Sequence, residues 1–263
     1  MKRTPVQLNI AEWSEELADH LKDAKVYDSS CSEEARVVYI DKDGGFFLKK
    51  AAEGSLQTEA LMTAYFHSLH LSAEVLYYGT HEGCDYLLTG RVPGEDCTDA
   101  QYLADPKRLC DTTATLLREL HETEAKDCPV PDRIRTYTES VLRGFDSRAY
   151  EPDLFWGMWE FGSFEEAKRA AEEALPLLQK GVLLHGDYCL PNVILDNWKF
   201  SGYIDLGNGG IGDRHIDVAW GIWTLNFNLG TTKYSDRFLD AYGRDKIDPE
   251  MLRAIAAMEM IGG

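Results

Sequence analysis

No apolar run in these 263 residues approaches the length needed to cross a bilayer. The opening residues, MKRTPVQLNIAEW, lack the long apolar segment of a secretory signal. Both absences point to the cytoplasm. Basic residues are scarce, with 27 Lys and Arg against 45 Asp and Glu and a formal net charge of −18. Nucleic acid and anionic membrane surfaces would be repelled, which argues against both as partners. The six cysteines (31, 84, 97, 110, 128 and 189) include no Cys-x-x-Cys pair and no His partner at zinc spacing. Reduced, mostly structural thiols are expected, and nothing beside Cys189 suggests an activated nucleophile.

What is present is an ordinary globular profile, 44% hydrophobic and 27% charged. The length allows one large domain or two lobes with a real core. The acidic excess fits plain solubility, and it also fits the steering of a polycationic substrate into an acidic cleft.

The informative stretch is 183–217. An apolar pair, Leu183-Leu184, precedes His185, Asp187 and Asn192 in one short loop. The apolar run Val193-Ile194-Leu195, the polar turn Asn197-Trp198-Lys199 and a second apolar pair, Tyr203-Ile204, then lead to Asp205. This reads as loop, hairpin and second loop, able to gather Asp187, Asn192 and Asp205 around one point. Phosphoryl transfer wants such a set. One Asp orients and accepts the proton of an attacking hydroxyl, while an Asn oxygen and a second Asp hold Mg²⁺ against nucleotide phosphates. The spacing His-x-Asp-x4-Asn matches the catalytic loop of protein kinases, with Asp205-Leu206-Gly207 where their metal-binding Asp-Phe-Gly stands. Two turns rich in Asp, Asn and Gly are the plainer reading.

HGDYCLPNVILD followed by SGYIDLGNGGIGDRHIDVAW resembles the signature of the aminoglycoside phosphotransferases, and most of all the group that phosphorylates the 3′-hydroxyl of kanamycin-like drugs. The match is dense here, and weaker but in the right order from about Val37 onward. The resemblance implies an α+β, two-lobed, protein-kinase-like fold. A small N-terminal antiparallel sheet lobe (1–91) would bind nucleotide, and a larger, mainly helical C-terminal lobe (92–263) would carry catalysis and acceptor binding. The implied cofactors are ATP or GTP with Mg²⁺, and the implied partner is a cationic aminoglycoside. The expected assembly is a monomer or weak homodimer.

The rest of the chain can be set against that expectation. Residues 8–23 read as an amphipathic helix with an acidic outer face. Arg36–Ile40 and Phe46–Lys49 flank the turn DKDGG as a β-hairpin. The serine-rich loop before it has no glycine pattern of a phosphate cradle. The resemblance makes Ser29, Ser30 and Ser32 candidates for the triphosphate, and an ordinary turn is the alternative. Lys49 ends a strand and Glu59 lies on the helix that follows. Kinases use such a pair to hold the α- and β-phosphates, although solvated surface charges are the usual fate of Lys and Glu. The family's strand pattern favours Lys49 over Lys50. A second hairpin, 75–78 with 85–89, leads into Gly90-Arg91-Val92-Pro93-Gly94, a break suited to a hinge. By resemblance Arg91 and Val92 take the hinge positions that hydrogen-bond adenine, with Phe47 as the stacking ring or simply core.

Helices are predicted over 105–122, 133–148, 164–178, 216–225, 236–242 and 248–260. His121 reads as structural, and Asp217 as an acid that ties the catalytic loop together. The segment YEPDLFWGMW with Glu160 offers Glu151, Asp153 and Glu160 as grips for a drug's ammonium groups, by resemblance, or else an aromatic plug between helices. Two departures bear on the acceptor. The family commonly has Arg directly after Asp-Leu-Gly, where this chain has Asn208. Of the family's C-terminal acids only Glu259 stands near the end, with no aromatic after it. Each missing carboxylate removes a contact of roughly 1.5–3 kcal/mol, so a narrowed aminoglycoside spectrum is expected. Another hydroxylated metabolite (an amino alcohol or sugar) as acceptor, or a silent nucleotide-binding protein, are the competing readings. Retention of Lys49, Glu59, Asp187, Asn192 and Asp205 speaks against silence.

Overall fold

The computed structural model describes residues 4–6, 17–31 and 35–263. Its N-terminal part is an antiparallel sheet of β1 (Thr4–Pro5), β2 (Lys25–Asp28), β3 (Ala35–Asp41), β4 (Phe46–Ala52), β5 (Val75–His81) and β6 (Cys84–Gly90), in the order β1-β2-β3-β4-β6-β5. A short helix, α1 (Ala18–Leu21), precedes β2; most of the helix expected over 8–23 lies outside the described residues. Alternation along the strands gives the sheet two apolar faces. On one, Leu17 and Leu21 pack against Val38, Ile40, Leu48, Tyr86 and Leu88. On the other, Ala51 and Leu87 receive Ala60 of α2 (Gln57–Ser68) and Leu56, the residue that caps its start.

The start of α2 is fixed by a buried acid on β6. Asp85 accepts hydrogen bonds from the Leu56 amide (3.1 Å), the Tyr78 hydroxyl (3.1 Å) and the Thr80 hydroxyl (2.8 Å). Burial alone would raise its pKa; these donors outweigh it and hold the carboxyl below its usual range. The helix, and Glu59 with it, is therefore clamped to the sheet.

The C-terminal part is largely helical: α3 (Ala100–Leu103), α4 (Pro106–Glu122), α5 (Arg133–Ser147), α6 (Phe164–Ala174), α7 (Arg214–Leu229), α8 (Ser235–Tyr242) and α9 (Pro249–Ile261). Asp105, Asp132, Ser163, Asp213 and Asp248 cap α4, α5, α6, α7 and α9, each accepting from an amide of the first turn. The helix expected over 164–178 ends at Ala174, where Pro176 tightens the chain into a 3-10 turn, Leu175–Leu177. Leu117, Val141, Phe238 and Ile255, all fully buried, lie in one core with residues from both ends of the helical region. No helix among the described residues is long and apolar enough to cross a membrane. All six cysteines are free thiols.

Two small sheets sit between the main sheet and the helices. β8 (Val182–Leu184) pairs with β11 (Gly210–Gly212), with Leu184 opposite Gly210. β9 (Val193–Asp196) pairs with β10 (Lys199–Tyr203) and with β7 (Glu95–Asp96). The Tyr203 amide donates to the Leu71 carbonyl (2.8 Å), tying this layer to the sheet side of the molecule. The segment 183–217 thus holds the loop, hairpin and second loop that its pattern predicts, framed by β8, β11 and the first turn of α7. The β8–β11 pairing holds the two loops side by side.

Candidate active site

The first loop, between β8 and β9, is pinned from below. The Asp217 carboxylate is fully buried and accepts from the His185 amide (2.7 Å), the Gly186 amide (2.8 Å) and His121 Nε2 (3.1 Å). Nδ1 of His121 faces the Tyr242 hydroxyl at 2.8 Å. Burial lowers the His121 pKa, against the pull of Asp217, so the ring is neutral at pH 7, with Nε2–H donating to Asp217 and Nδ1 accepting from the Tyr242 hydroxyl. His121 and Asp217 are structural, as the sequence suggests. Gly186 adopts φ +85°, and a Cβ there would lie 1.9 Å from the Asn208 carbonyl oxygen. Only glycine lets the two loops pack this closely.

On that base Asp187 and Asn192 meet. Asn192 Nδ2 donates to the Asp187 carboxylate (2.9 Å) and carbonyl (3.0 Å), which leaves the Asn192 Oδ1 for another partner. Asp205 opens the second loop in the left-handed region (φ 62°, ψ 53°), a conformation Asp tolerates better than most residues. It is half exposed. The Lys49 ammonium bridges it to the sheet, 2.5 Å from Asp205 Oδ1 and 2.7 and 3.0 Å from the two Glu59 oxygens. Burial opposes the charge on Lys49; the carboxylates of Glu59 and Asp205 outweigh it and hold its pKa above the ordinary value. Burial raises the Glu59 pKa, Lys49 opposes that, and the nearby Asp205 adds to it. One ammonium serves two acids, so this corner carries an excess of negative charge suited to cations. Lys50 takes no part, since it lies over the Tyr86 ring on the opposite face.

Phe47 lies two residues before Lys49 on the same face of β4, with Tyr39 of β3 beside it at 5.2 Å between ring centroids. The Arg91 amide donates to the Gly45 carbonyl (3.0 Å), so it is not free for a base, whereas Val92 has no backbone partner among the described residues. Ser30 spends its hydroxyl closing the β2–β3 loop, accepting from the Val37 amide at 2.9 Å, and Ser29 is buried. Ser32 lies outside the described residues. Burial pushes the Cys189 thiol far up, which rules it out as a thiolate nucleophile at neutral pH.

Beside Asp187 a cavity of about 70 Å³ is lined by Arg133, Tyr137, Asn208, Trp220 and Glu259, among others. Glu259 accepts from the Tyr137 hydroxyl at 2.9 Å. Burial pushes its pKa up to about 7, against Tyr137, Trp220 and Arg133, which favour the anion. Glu151, Asp153 and Glu160 are exposed and do not line this cavity. Their segment is instead an aromatic plug at Phe155, which is fully buried against Trp159 and Trp220. The Glu151 amide bonds the Met260 carbonyl (2.7 Å), so the segment lies next to the end of α9 that carries Glu259. Arg133 and Tyr137, one helical turn apart on α5, carry no motif in the sequence; only the packing of α5 against α9 brings them to Asp187.

This set of side chains on this fold defines a kinase-like phosphotransferase. The chain belongs to the phosphotransferase enzyme family, whose model matches residues 30–256. It is 47% identical over 257 residues to a probable aminoglycoside 3′-phosphotransferase of Lactococcus lactis subsp. lactis, covering 98% of both chains. It is 32% identical over 180 residues to an aminoglycoside 3′-phosphotransferase of Niallia circulans, covering 68% of each. Among solved structures, an aminoglycoside-3′-phosphotransferase of type VIII matches 94% of this chain and 100% of its own, with TM-score 0.73 at 21% identity. An aminoglycoside phosphotransferase of Streptomyces rimosus in complex with ADP and streptomycin matches 97% and 99%, with TM-score 0.73 at 20% identity.

Replacing Lys49 by methionine should lower kcat/KM for the nucleotide about 10- to 100-fold, the loss of one charge-assisted contact of roughly 1.5–3 kcal/mol. Titration of a non-hydrolysable nucleotide analogue checks it. Unchanged affinity and turnover would place the triphosphate elsewhere.

Proposed function

We propose that this enzyme transfers the γ-phosphoryl group of ATP or GTP to the 3′-hydroxyl of kanamycin-like aminoglycosides, in the cytoplasm. The observation that carries the reading is the placement of Lys49, Glu59 and Asp205 next to the Asp187–Asn192 pair, joined where the Ile204 amide bonds the Asn192 carbonyl (3.1 Å), with a cavity holding a buried acid beside Asp187. The relatives' names supply the acceptor class.

In this reading residues 1–91 bind the nucleotide and residues 92–263 carry catalysis and the acceptor. Asp187 orients the acceptor hydroxyl and takes its proton. Lys49, braced by Glu59, holds the α- and β-phosphates, while Phe47 and the Val92 backbone hold the base. The Asn192 Oδ1 and the Asp205 carboxylate would hold Mg²⁺. They fit it as two hard oxygen donors, one amide and one carboxylate, which suits an ion that keeps water and phosphate ligands. When bound, Mg²⁺ supplies charge neutralisation across the phosphates. Alignment and electrostatics then carry most of the rate enhancement. Glu259 grips an ammonium group inside the cavity, and Glu151, Asp153 and Glu160 offer an acidic outer rim.

ADP release over a panel of aminoglycosides, choline and simple sugars tests the reading. Turnover confined to aminoglycosides is expected, and turnover only with choline or sugars would contradict it. Glu259 adds a pH signature. Because burial raises its pKa, the side chain is neutral below about 7 and anionic above. KM for a cationic acceptor should therefore fall as pH rises from about 6 to about 8, and Glu259→Gln should flatten the profile. Folding carries the opposite sign. The native state holds this proton when the unfolded chain, near pKa 4.3, has released it, so this group's contribution to stability declines from about pH 4.5 to about 7.

A further inference from the structure

Arg133 is an unexpected neighbour for a site that takes polycations. It is the first residue of α5, and its guanidinium lines the cavity beside Asp187. Nη1 donates to Thr136 Oγ1 (2.7 Å) and Nη2 to Asn208 Oδ1 (2.9 Å), both neutral oxygens. It makes no ion pair among the described residues, unlike Arg237, which grips Asp111 with two nitrogens. Most of its N–H groups are unspent. Burial holds its pKa below the usual arginine value, although a guanidinium stays charged at any ordinary pH.

The guanidinium is also tied to the reacting position. Asn208, its partner, packs its backbone directly against Gly186, the residue before Asp187. A group seated next to the hydroxyl at Asp187 therefore meets a cation on one wall of the cavity. Glu259 lines the same cavity without a salt bridge to Arg133, although each charge favours the other. The cavity therefore carries a group of each sign: Glu259 attracts ammonium and Arg133 attracts oxygen.

We propose that Arg133 is a specificity-determining residue that reads the substituent adjacent to the phosphorylated hydroxyl, donating to an oxygen there and repelling an ammonium. This rests on the aminoglycoside-kinase reading. The expectation runs against bulk electrostatics, since a chain of net charge −18 would otherwise favour the more cationic acceptor.

Kanamycin A and kanamycin B differ only in carrying a hydroxyl or an ammonium next to the 3′-hydroxyl, and they make the test. The wild-type enzyme should show kcat/KM about tenfold or more higher for kanamycin A, the scale of one like-charge contact. Arg133→Met should bring the ratio to about one or invert it, chiefly by lowering KM for kanamycin B. Arg133→Lys, which keeps the charge, should retain the preference. A general weakening of the fold would slow both acceptors together and leave the ratio untouched. Equal use of both acceptors by the wild type, or a preference that survives in Arg133→Met, overturns the proposal while leaving the aminoglycoside reading intact. Turnover of neither overturns that reading, and this proposal with it.

Discussion

Asp187→Asn is expected to lower kcat by about 10²–10⁴, the usual span for loss of a positioned general base. Nucleotide affinity should remain within a few fold, because Lys49, Glu59 and Asp205 bind one another without Asp187. The substitution is nearly isosteric, and an amide oxygen can still accept from Asn192 Nδ2, so the loop should hold its shape. What disappears is the capacity to take a proton. Single-turnover phosphorylation, with nucleotide-analogue binding measured in parallel, separates the two effects. A rate near wild type would mean that Asp187 is not the base. A collapse of nucleotide binding would mean that the loop, and not the proton, had been lost.

Asp217→Ala should be the most damaging substitution to the fold among the site's supports. Its carboxylate is fully buried and satisfies two backbone amides and an imidazole. Removing it leaves those donors without an acceptor in a dry core, a cost of about 3–5 kcal/mol. For a chain of this length that corresponds to a fall in melting temperature of roughly 10 °C. Activity should fall further than stability alone explains, because His185 and Gly186 lose the anchor that aims Asp187. A displacement of about 1 Å is enough for roughly a hundredfold loss in rate. Differential scanning fluorimetry, and kcat measured well below the melting transition, check the two parts. An unchanged melting temperature would contradict the role assigned to Asp217.

The legible and illegible parts of this site divide along a physical line. Residues 183–217 could be read because loop, hairpin and loop are contiguous, so that local pattern alone brings Asp187, Asn192 and Asp205 together. The Lys49–Glu59 pair was readable for a similar reason: a strand, a turn and a helix start fix its geometry over ten residues. Arg133 and Tyr137 were not readable. They sit on an ordinary capped helix, and only long-range packing delivers them to Asp187. Ser30 is a triphosphate candidate by resemblance alone; its hydroxyl accepts from the Val37 amide, a backbone contact that no side-chain pattern reveals. The bond from the Arg91 amide to Gly45 is another backbone contact that no side-chain pattern reveals. Asn208 read as a missing charge; in the fold it holds the guanidinium of Arg133 beside the same loop.

The most direct test of the central claim is phosphoryl transfer to a matched pair of acceptors, kanamycin B and its 3′-deoxy form, tobramycin, with ATP and Mg²⁺. Mass spectrometry and phosphorus–proton correlation would follow the product. The account predicts one added phosphoryl group on the 3′-oxygen of kanamycin B, at a measurable if reduced rate, and none on tobramycin. Equal phosphorylation of the two would contradict it.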